Sequence, residues 1–189
     1  MNFRLSTEDE LIEQAKQGNY SSFEKIVKKY QRVIYNLAYR MTKNHDAADD
    51  VAQETFVKSF YALKSFELGR SFYSWIYRIC LNLSLNYLKR ESATVSESSF
   101  EQDKSPIDFA LEKDNPETVL AKKELSNKIE EGLDNLPPKL RAVLILKVFE
   151  DLSYEEISKI LKISKGTVMS RLFRARKRLV QNLKGYIEG

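Results

Sequence analysis

From Phe23 to Met41 the apolar residues Phe23, Ile26, Val27, Tyr30, Val33, Ile34, Leu37, Ala38 and Met41 recur at steps of three and one. A strand would need alternation at every second residue, whereas an α-helix places this whole set on one face. The same rule orders the rest of the first 90 residues. Thr7 with Glu10 and Ser21 with Glu24 have the spacing of capping boxes, and Gly18-Asn19 between them reads as a stop. Lys43-Asn44-His45 interrupts the long stripe. Asp46 is placed to cap a third helix with Ala47, Val51, Thr55, Phe56, Phe60 and Leu63 inward. After a loop from Ser65 to Ser71, Phe72, Trp75, Ile76, Ile79, Cys80, Leu83 and Leu88 mark a fourth helix ending near Arg90.

Between 91 and about 120 the periodicity stops. Glu91, Glu97, Glu101, Asp103, Asp108, Glu112, Asp114 and Glu117 face only Lys104 and Lys113, and Pro106 and Pro116 interrupt the chain. This composition reads as a flexible acidic linker, either a plain solvated loop or a strand of charge that follows a basic channel on a partner. Helical spacing resumes at Val119 with Leu125, Ile129 and Leu133. It restarts at Pro137-Pro138 with Leu140, Val143, Leu144 and Val148. Six glycines and four prolines in 189 residues argue against a turn-rich β fold. The expected fold is therefore all-α: a helical domain at 1–90, a linker at 91–120 and a second helical domain at 121–189.

Several function classes are disfavoured. The chain has one cysteine, Cys80, and one histidine, His45, so neither an internal disulfide nor the usual zinc cluster is available. Cys80 reads as a small buried apolar group and His45 as a loop or helix-start residue. Ser164-Lys165-Gly166-Thr167 lacks the preceding glycine of a phosphate-binding loop. The first eight residues contain no apolar core of a signal peptide, and no run of 18 apolar residues occurs. A cytoplasmic, non-enzymatic protein without cofactor or metal is expected. The net charge of +4 permits a polyanionic partner.

The distribution of that charge points to the partner. Ser153 and Glu156 form a capping box for a short helix, Tyr154 to Leu161, and Lys162-Ile163-Ser164 makes a turn of the length a helix-turn-helix uses. Ser164 can cap the next helix, which buries Val168, Leu172, Ala175 and Leu179. Its other faces carry Lys165, Arg171, Arg174, Arg176, Lys177 and Arg178, with Lys184 beyond. A helix that enters a major groove about 12 Å wide must show side chains to base edges and cations to phosphates. Thr167, Met169, Ser170, Phe173 and Arg174 occupy reading positions. Arg171, Arg176, Lys177 and Arg178 suit the backbone, and Lys165 belongs to the same DNA-binding set. The competing explanation is a solvated basic helix whose cations favour its C-terminal dipole.

These segments resemble a known family. Tyr154-Glu155-Glu156-Ile157-Ser158 followed by Lys165 to Arg176 is similar to the end of a bacterial sigma-70-type sigma factor. The match is with the extracytoplasmic function (ECF) group, which keeps sigma domains 2 and 4. Independently, Asp46 to Phe56 resembles the segment that grips core RNA polymerase. Phe72-Tyr73-Ser74-Trp75-Ile76-Tyr77-Arg78-Ile79 with Asn82 resembles the promoter-melting element. The resemblance implies a polymerase-binding set of Asp49, Asp50, Gln53 and Glu54, with Ala48 standing where an acidic residue is usual and Asp50 added. An ordinary acidic helix start stabilised by its dipole is the alternative for these four. The resemblance further implies that Phe66, Glu67, Leu68, Gly69, Arg70, Ser71, Tyr73, Tyr77, Arg78 and Asn82 meet the melted non-template strand of the −10 element. Phe72 and Trp75 are expected in the core instead. The helix after Ser164 would bind the −35 duplex. The implied partners are core RNA polymerase, promoter DNA and an anti-sigma protein that can hold the chain at the inner face of the membrane without its inserting there. The rival is a stand-alone helix-turn-helix regulator with a helical sensor or dimerisation domain.

Overall fold

The computed structural model describes residues 7–94 and 131–187, and every element among them is helical. In chain order these are α1 (Thr7–Lys16), α2 (Tyr20–Thr42), α3 (His45–Ala62), a 3-10 turn (Leu63–Ser65) and α4 (Phe72–Thr94). After them come a helical stretch at 131–134, α5 (Pro138–Val148), α6 (Tyr154–Leu161) and α7 (Lys165–Ile187). The acidic linker expected at 91–120 and the helical restart at Val119 fall outside the described residues, apart from 91–94. Those four extend α4 beyond the end expected near Arg90. The chain divides into two compact units, one containing α1–α4 and the other containing α5, α7 and α6 as far as Ser158.

In the first unit α2 packs on α1, α3 and α4, and α3 packs on α4. The stripe read from α2 supplies the core: Ile26, Tyr30, Ile34, Leu37, Ala38 and Met41 are buried, whereas Phe23, Val27 and Val33 are half-buried at its margins. The helix starts differ from the expected ones. Asn19, not Ser21, caps α2, its Oδ1 accepting from Ser22 N at 3.1 Å, and Glu24 pairs with Lys28 instead of closing a box. Asn44, not Asp46, caps α3, accepting from Ala47 N at 2.9 Å. Asparagine is as good a cap as serine or aspartate, and Asn19 and Asn44 have the extended backbone that a cap requires. Gly18, at φ +95°, supplies the left-handed turn between α1 and α2 that a side chain would strain. His45 opens α3, stacked on Tyr39 at 4.4 Å with Nδ1 2.6 Å from the Tyr35 hydroxyl. Cys80 is fully buried and burial pushes its thiol up to about 12.

In the second unit α5 packs on α7. Pro137 and Pro138 start α5, where a missing N–H costs nothing. The expected stripe is corrected at its end: Val143 and Leu144 are buried, but Val148 is 58% exposed because the helix stops there. Ala142, Ile145 and Leu146 complete the core. Arg141 is also buried. Its Nε donates to the Leu133 carbonyl at 3.0 Å, and one terminal nitrogen donates to the carbonyls of Asp134 and Leu136 at 2.5 and 3.4 Å. The guanidinium thus ties together carbonyls at the end of the preceding helix, of which Leu133 also accepts from Leu136 N at 3.0 Å.

Candidate nucleic-acid interface

The helix-turn-helix forms as the sequence dictates. Ser153 Oγ accepts from Glu156 N, and the Glu156 carboxylate accepts from Ser153 N at 2.8 Å, closing the box at the start of α6. Lys162 adopts a left-handed conformation, φ 53°, and its N–H donates to the Ser158 carbonyl. Ser158 Oγ donates to the Ile163 carbonyl at 2.6 Å, so both sides of the turn are tied. Ser164 Oγ then accepts from Thr167 N at 3.1 Å and starts α7.

On α7, Val168, Leu172 and Ala175 are buried and Leu179 half-buried. Helical spacing places Gly166, Ser170, Phe173, Arg174 and Lys177 on the opposite face. Phe173 is 70% exposed and Met169 56% exposed, an unfavourable display unless something covers them. Arg174, Lys177 and Arg178 are exposed and Arg171 half-buried. Thr167 Oγ1 lies 2.8 Å from Ser164 Oγ, and Ser170 Oγ donates to the Thr167 carbonyl at 3.0 Å, so both hydroxyls begin with local partners. Lys165 pairs with Glu155 across the turn. No carboxylate occurs between 165 and 187.

In the first unit the loop before α4 is a built turn. Gly69 sits at φ +81°, Arg70 N donates to the Glu67 carbonyl at 3.3 Å, and the Arg70 and Glu67 side chains pair at 2.6 Å. Ser71 caps α4, its Oγ accepting from Ser74 N at 3.2 Å. Glu67, Gly69, Arg70 and Ser71 are exposed and Leu68 half-buried. On α4, Ser74, Arg78 and Asn82 follow one another at steps of four, a row in which Asn82 is exposed. Tyr73, half-buried beside that row, stacks on Tyr77 at 4.1 Å.

Two residues expected to meet DNA are buried instead. Phe66 is 3% exposed, packed against Phe72 and Trp75 at centroid distances of 5.4 and 5.2 Å. It anchors the loop, because a bare phenyl ring gains more from that aromatic cluster than from water. Tyr77 has no exposure, and Tyr73 covers one face of its ring. Phe72, as expected, is core, and Trp75 is half-buried against it.

Asp49, Asp50, Gln53 and Glu54 are all exposed on α3. Asp49 and Gln53 line a groove of about 480 Å³ whose other wall is Val27, Gln31, Arg32 and Tyr35 of α2. Asp50 and Glu54 lie outside that lining, and Glu54 pairs with Lys58 at 2.8 Å. Burial and the nearby Asp49 charge hold the Tyr35 phenol above its ordinary range. Ala48 is fully buried, so an acidic side chain there would lie against the core. The α2 wall of this groove was not anticipated. Val27 belongs to the apolar stripe and Gln31 and Arg32 lie outside it, and only the packing of α2 on α3 brings them together.

Fold and surface together define a two-unit helical DNA-binding protein. Residues 26–94 match the family model for sigma-70 region 2, and residues 126–179 that for sigma-70 region 4. The ECF RNA polymerase sigma factor SigW of Bacillus subtilis is 35% identical over 181 residues, spanning 92% of this chain and 95% of that protein. The ECF RNA polymerase sigma-E factor of Escherichia coli K12 is 35% identical over 174 residues, 90% and 91% of the two chains. Among solved structures, CnrH in complex with the cytosolic domain of CnrY matches with a TM-score of 0.68 and 25% identity, covering 95% of this chain and 99% of that one. The sigma factor RpoE of Bartonella quintana, co-crystallised with the anti-sigma factor NepR, shares the fold at TM-score 0.68 and 24% identity, covering 86% and 96%. The chain belongs to the sigma-70 family, in its ECF group: it is an RNA polymerase sigma factor that directs promoter recognition and transcription initiation by the core enzyme.

Proposed function

We propose that this sigma factor reads promoters at two points, with residues 1–90 as domain 2, 91–120 as a linker and 121–189 as domain 4. Domain 4 binds the −35 duplex through α7. Ser170, Phe173 and Arg174 face base edges, Thr167 and Met169 flank them, and Lys165, Arg171, Lys177 and Arg178 contact phosphates. Phe173 carries this reading, since a 70% exposed phenyl ring amid cations suits contact with a thymine methyl and little else in water. Domain 2 docks on the polymerase through Asp49, Asp50, Gln53 and Glu54. The turn Glu67–Ser71, with Tyr73, Arg78 and Asn82, holds bases unstacked from the non-template strand; Phe66 and Tyr77 support it from beneath. Unstacking costs a few kcal/mol per base, and capture of the flipped base offsets it without covalent chemistry by this chain. The protein acts in the cytoplasm, and among its described residues no helix is long and apolar enough to cross a membrane. CnrH was solved with the cytosolic domain of CnrY and the Bartonella RpoE with the anti-sigma factor NepR, and an anti-sigma protein covering the α2–α3 groove is the corresponding regulator here.

The test mixes the purified chain with core RNA polymerase and a library of random promoter DNA. Selection of sequences with paired −35 and −10 preferences supports the two-point reading. Selection of a −35 preference alone, or of a −10 preference alone, would refute it.

A further inference from the structure

The turn before α4 is weakly tied to itself. Its internal links are the bond from Arg70 N to the Glu67 carbonyl at 3.3 Å and the ion pair between the two exposed side chains. An exposed pair of that kind contributes little. Gly69, at φ +81°, adds a residue with few conformational limits. The arrangement of the turn therefore depends on how its two ends are held. At the downstream end Ser71 caps α4 and shares the rigidity of that helix. At the upstream end Phe66 leaves the 3-10 turn, its N–H bonded to the Leu63 carbonyl at 3.0 Å and its backbone extended at ψ 130°. The Phe66 ring, packed on Phe72 and Trp75, fixes where the residue sits but not the plane of the peptide that leads into Glu67. That plane is held from another helix. Lys16, the half-buried last residue of α1, donates from Nζ to the Phe66 carbonyl at 2.9 Å across 50 positions of sequence.

We propose that Lys16 is a positioning residue for promoter opening: its ammonium holds the Phe66 carbonyl so that Glu67 to Ser71 stand in the arrangement that captures a base. Three observations carry the inference. A lysine at the end of a helix is ordinarily solvated, with its head in water, whereas this one is committed to a distant main-chain oxygen. The α1 helix also packs on the 3-10 turn, so Lys16 acts from a fixed support. The carbonyl it holds belongs to the residue immediately before the capturing segment, and rotating that peptide plane swings the whole turn. The inference rests on the proposed role of the turn in base capture; Lys16 itself touches no base. Without the ammonium the turn samples other arrangements. A flipped base then binds only the competent fraction, and apparent affinity falls with that fraction. A DNA whose base makes no use of the turn escapes the loss.

The test measures holoenzyme binding to two forked promoter DNAs. One carries the −10 sequence selected from the random library, and the other has a single base replaced at the position of strongest preference. Lys16→Met keeps the length of the side chain and removes the donor. It is expected to weaken binding of the first DNA on the order of 10-fold and of the second far less, so that discrimination falls. Lys16→Arg, which keeps a donor within reach, should retain most of the discrimination, and affinity for core polymerase should stay at wild type in both variants. Tyr30→Phe is the control for stability alone. It removes the bond from a buried hydroxyl to Glu8 at 2.7 Å, keeps the ring that packs on Phe72, and should lower the unfolding midpoint while preserving discrimination. Equal loss on both DNAs would overturn the proposal. So would Lys16→Arg no better than Lys16→Met, or a loss of discrimination in Tyr30→Phe as large as in Lys16→Met. A salt dependence lowered by about 0.7 in log–log slope in Lys16→Met would make Lys16 a phosphate contact and overturn it too. Leu68→Ala with Arg70→Ala separates the two readings. If that pair leaves discrimination intact, the reading of the turn fails; if it abolishes discrimination and Lys16→Met does not, the positioning role alone fails.

Discussion

Replacing Arg141 with alanine tests whether the second unit is held together by a buried cation. The residue is 7% exposed, and its guanidinium has two well-made bonds to main-chain carbonyls, at 3.0 and 2.5 Å, with a longer third at 3.4 Å. Truncation leaves the Asp134 carbonyl without this donor, while the Leu133 carbonyl keeps only the Leu136 N–H at 3.0 Å. A buried acceptor left unsatisfied costs about 1–3 kcal/mol, and lost packing of the side-chain stem adds to it. The expected destabilisation of the second unit is about 3 kcal/mol, a large share of the roughly 5–15 kcal/mol available to a small domain. Thermal unfolding of the full chain followed by circular dichroism should show an early phase, its midpoint lowered by more than about 10 °C. The single tryptophan, Trp75, lies in the first unit, so its fluorescence should keep the wild-type midpoint. Arg141→Lys should fall between, since one ammonium cannot span carbonyls that a planar fork reaches. A loss below about 1 kcal/mol in Arg141→Ala, or wild-type stability in Arg141→Met, would refute the argument.

Arg174→Ala should weaken −35 binding by about 1–3 kcal/mol in a sequence-dependent way; uniform loss across sequences would make Arg174 a phosphate contact. Asn82→Ala should impair promoter opening, read by permanganate footprinting, while polymerase affinity stays at wild type. Loss of polymerase affinity would give Asn82 a structural role. Asp49→Asn with Glu54→Gln should reduce affinity for core polymerase in a titration at low salt and change folding stability little, since both side chains are exposed. Cys80, whose pKa is raised to about 12, is protonated throughout the neutral range and should resist alkylation at pH 8 until the first unit unfolds, as mass spectrometry can follow.

What was legible in the sequence was local. The Ser153–Glu156 box, the turn at Lys162 and the buried stripe of α7 each depend on residues within a few positions, and each formed where read. The misses had competitors or distant causes. Asn19 and Asn44 were offered beside Ser21 and Asp46, and the spacing rule does not choose among four good caps. Phe66 stands among polar loop residues and so looked available to a base; its burial needs Phe72 and Trp75 to turn back over it. Arg141 sits inside an apolar run, and only the converging carbonyls of Leu133, Asp134 and Leu136 make its burial affordable.

The net charge of +4 conceals a separation that bears on how such a factor works. Helix α3 carries Asp46, Asp49, Asp50 and Glu54 against a single lysine, Lys58. Helix α7 carries Lys165, Arg171, Arg174, Arg176, Lys177, Arg178 and Lys184 against no carboxylate. A duplex attracts the second surface and repels the first, so the free chain cannot lay both units along DNA without an electrostatic penalty. A partner that presents cations to α3 removes that penalty and leaves α7 available. If polymerase docks on α3 and the −35 duplex on α7, as proposed, polymerase binding and tight promoter binding would be coupled through charge, because neutralising the acidic face would lower the cost of bringing phosphates near the first unit. The low overall charge, which alone argued weakly for any nucleic-acid partner, is what a protein needs if it is to hold DNA firmly only after it has found the polymerase.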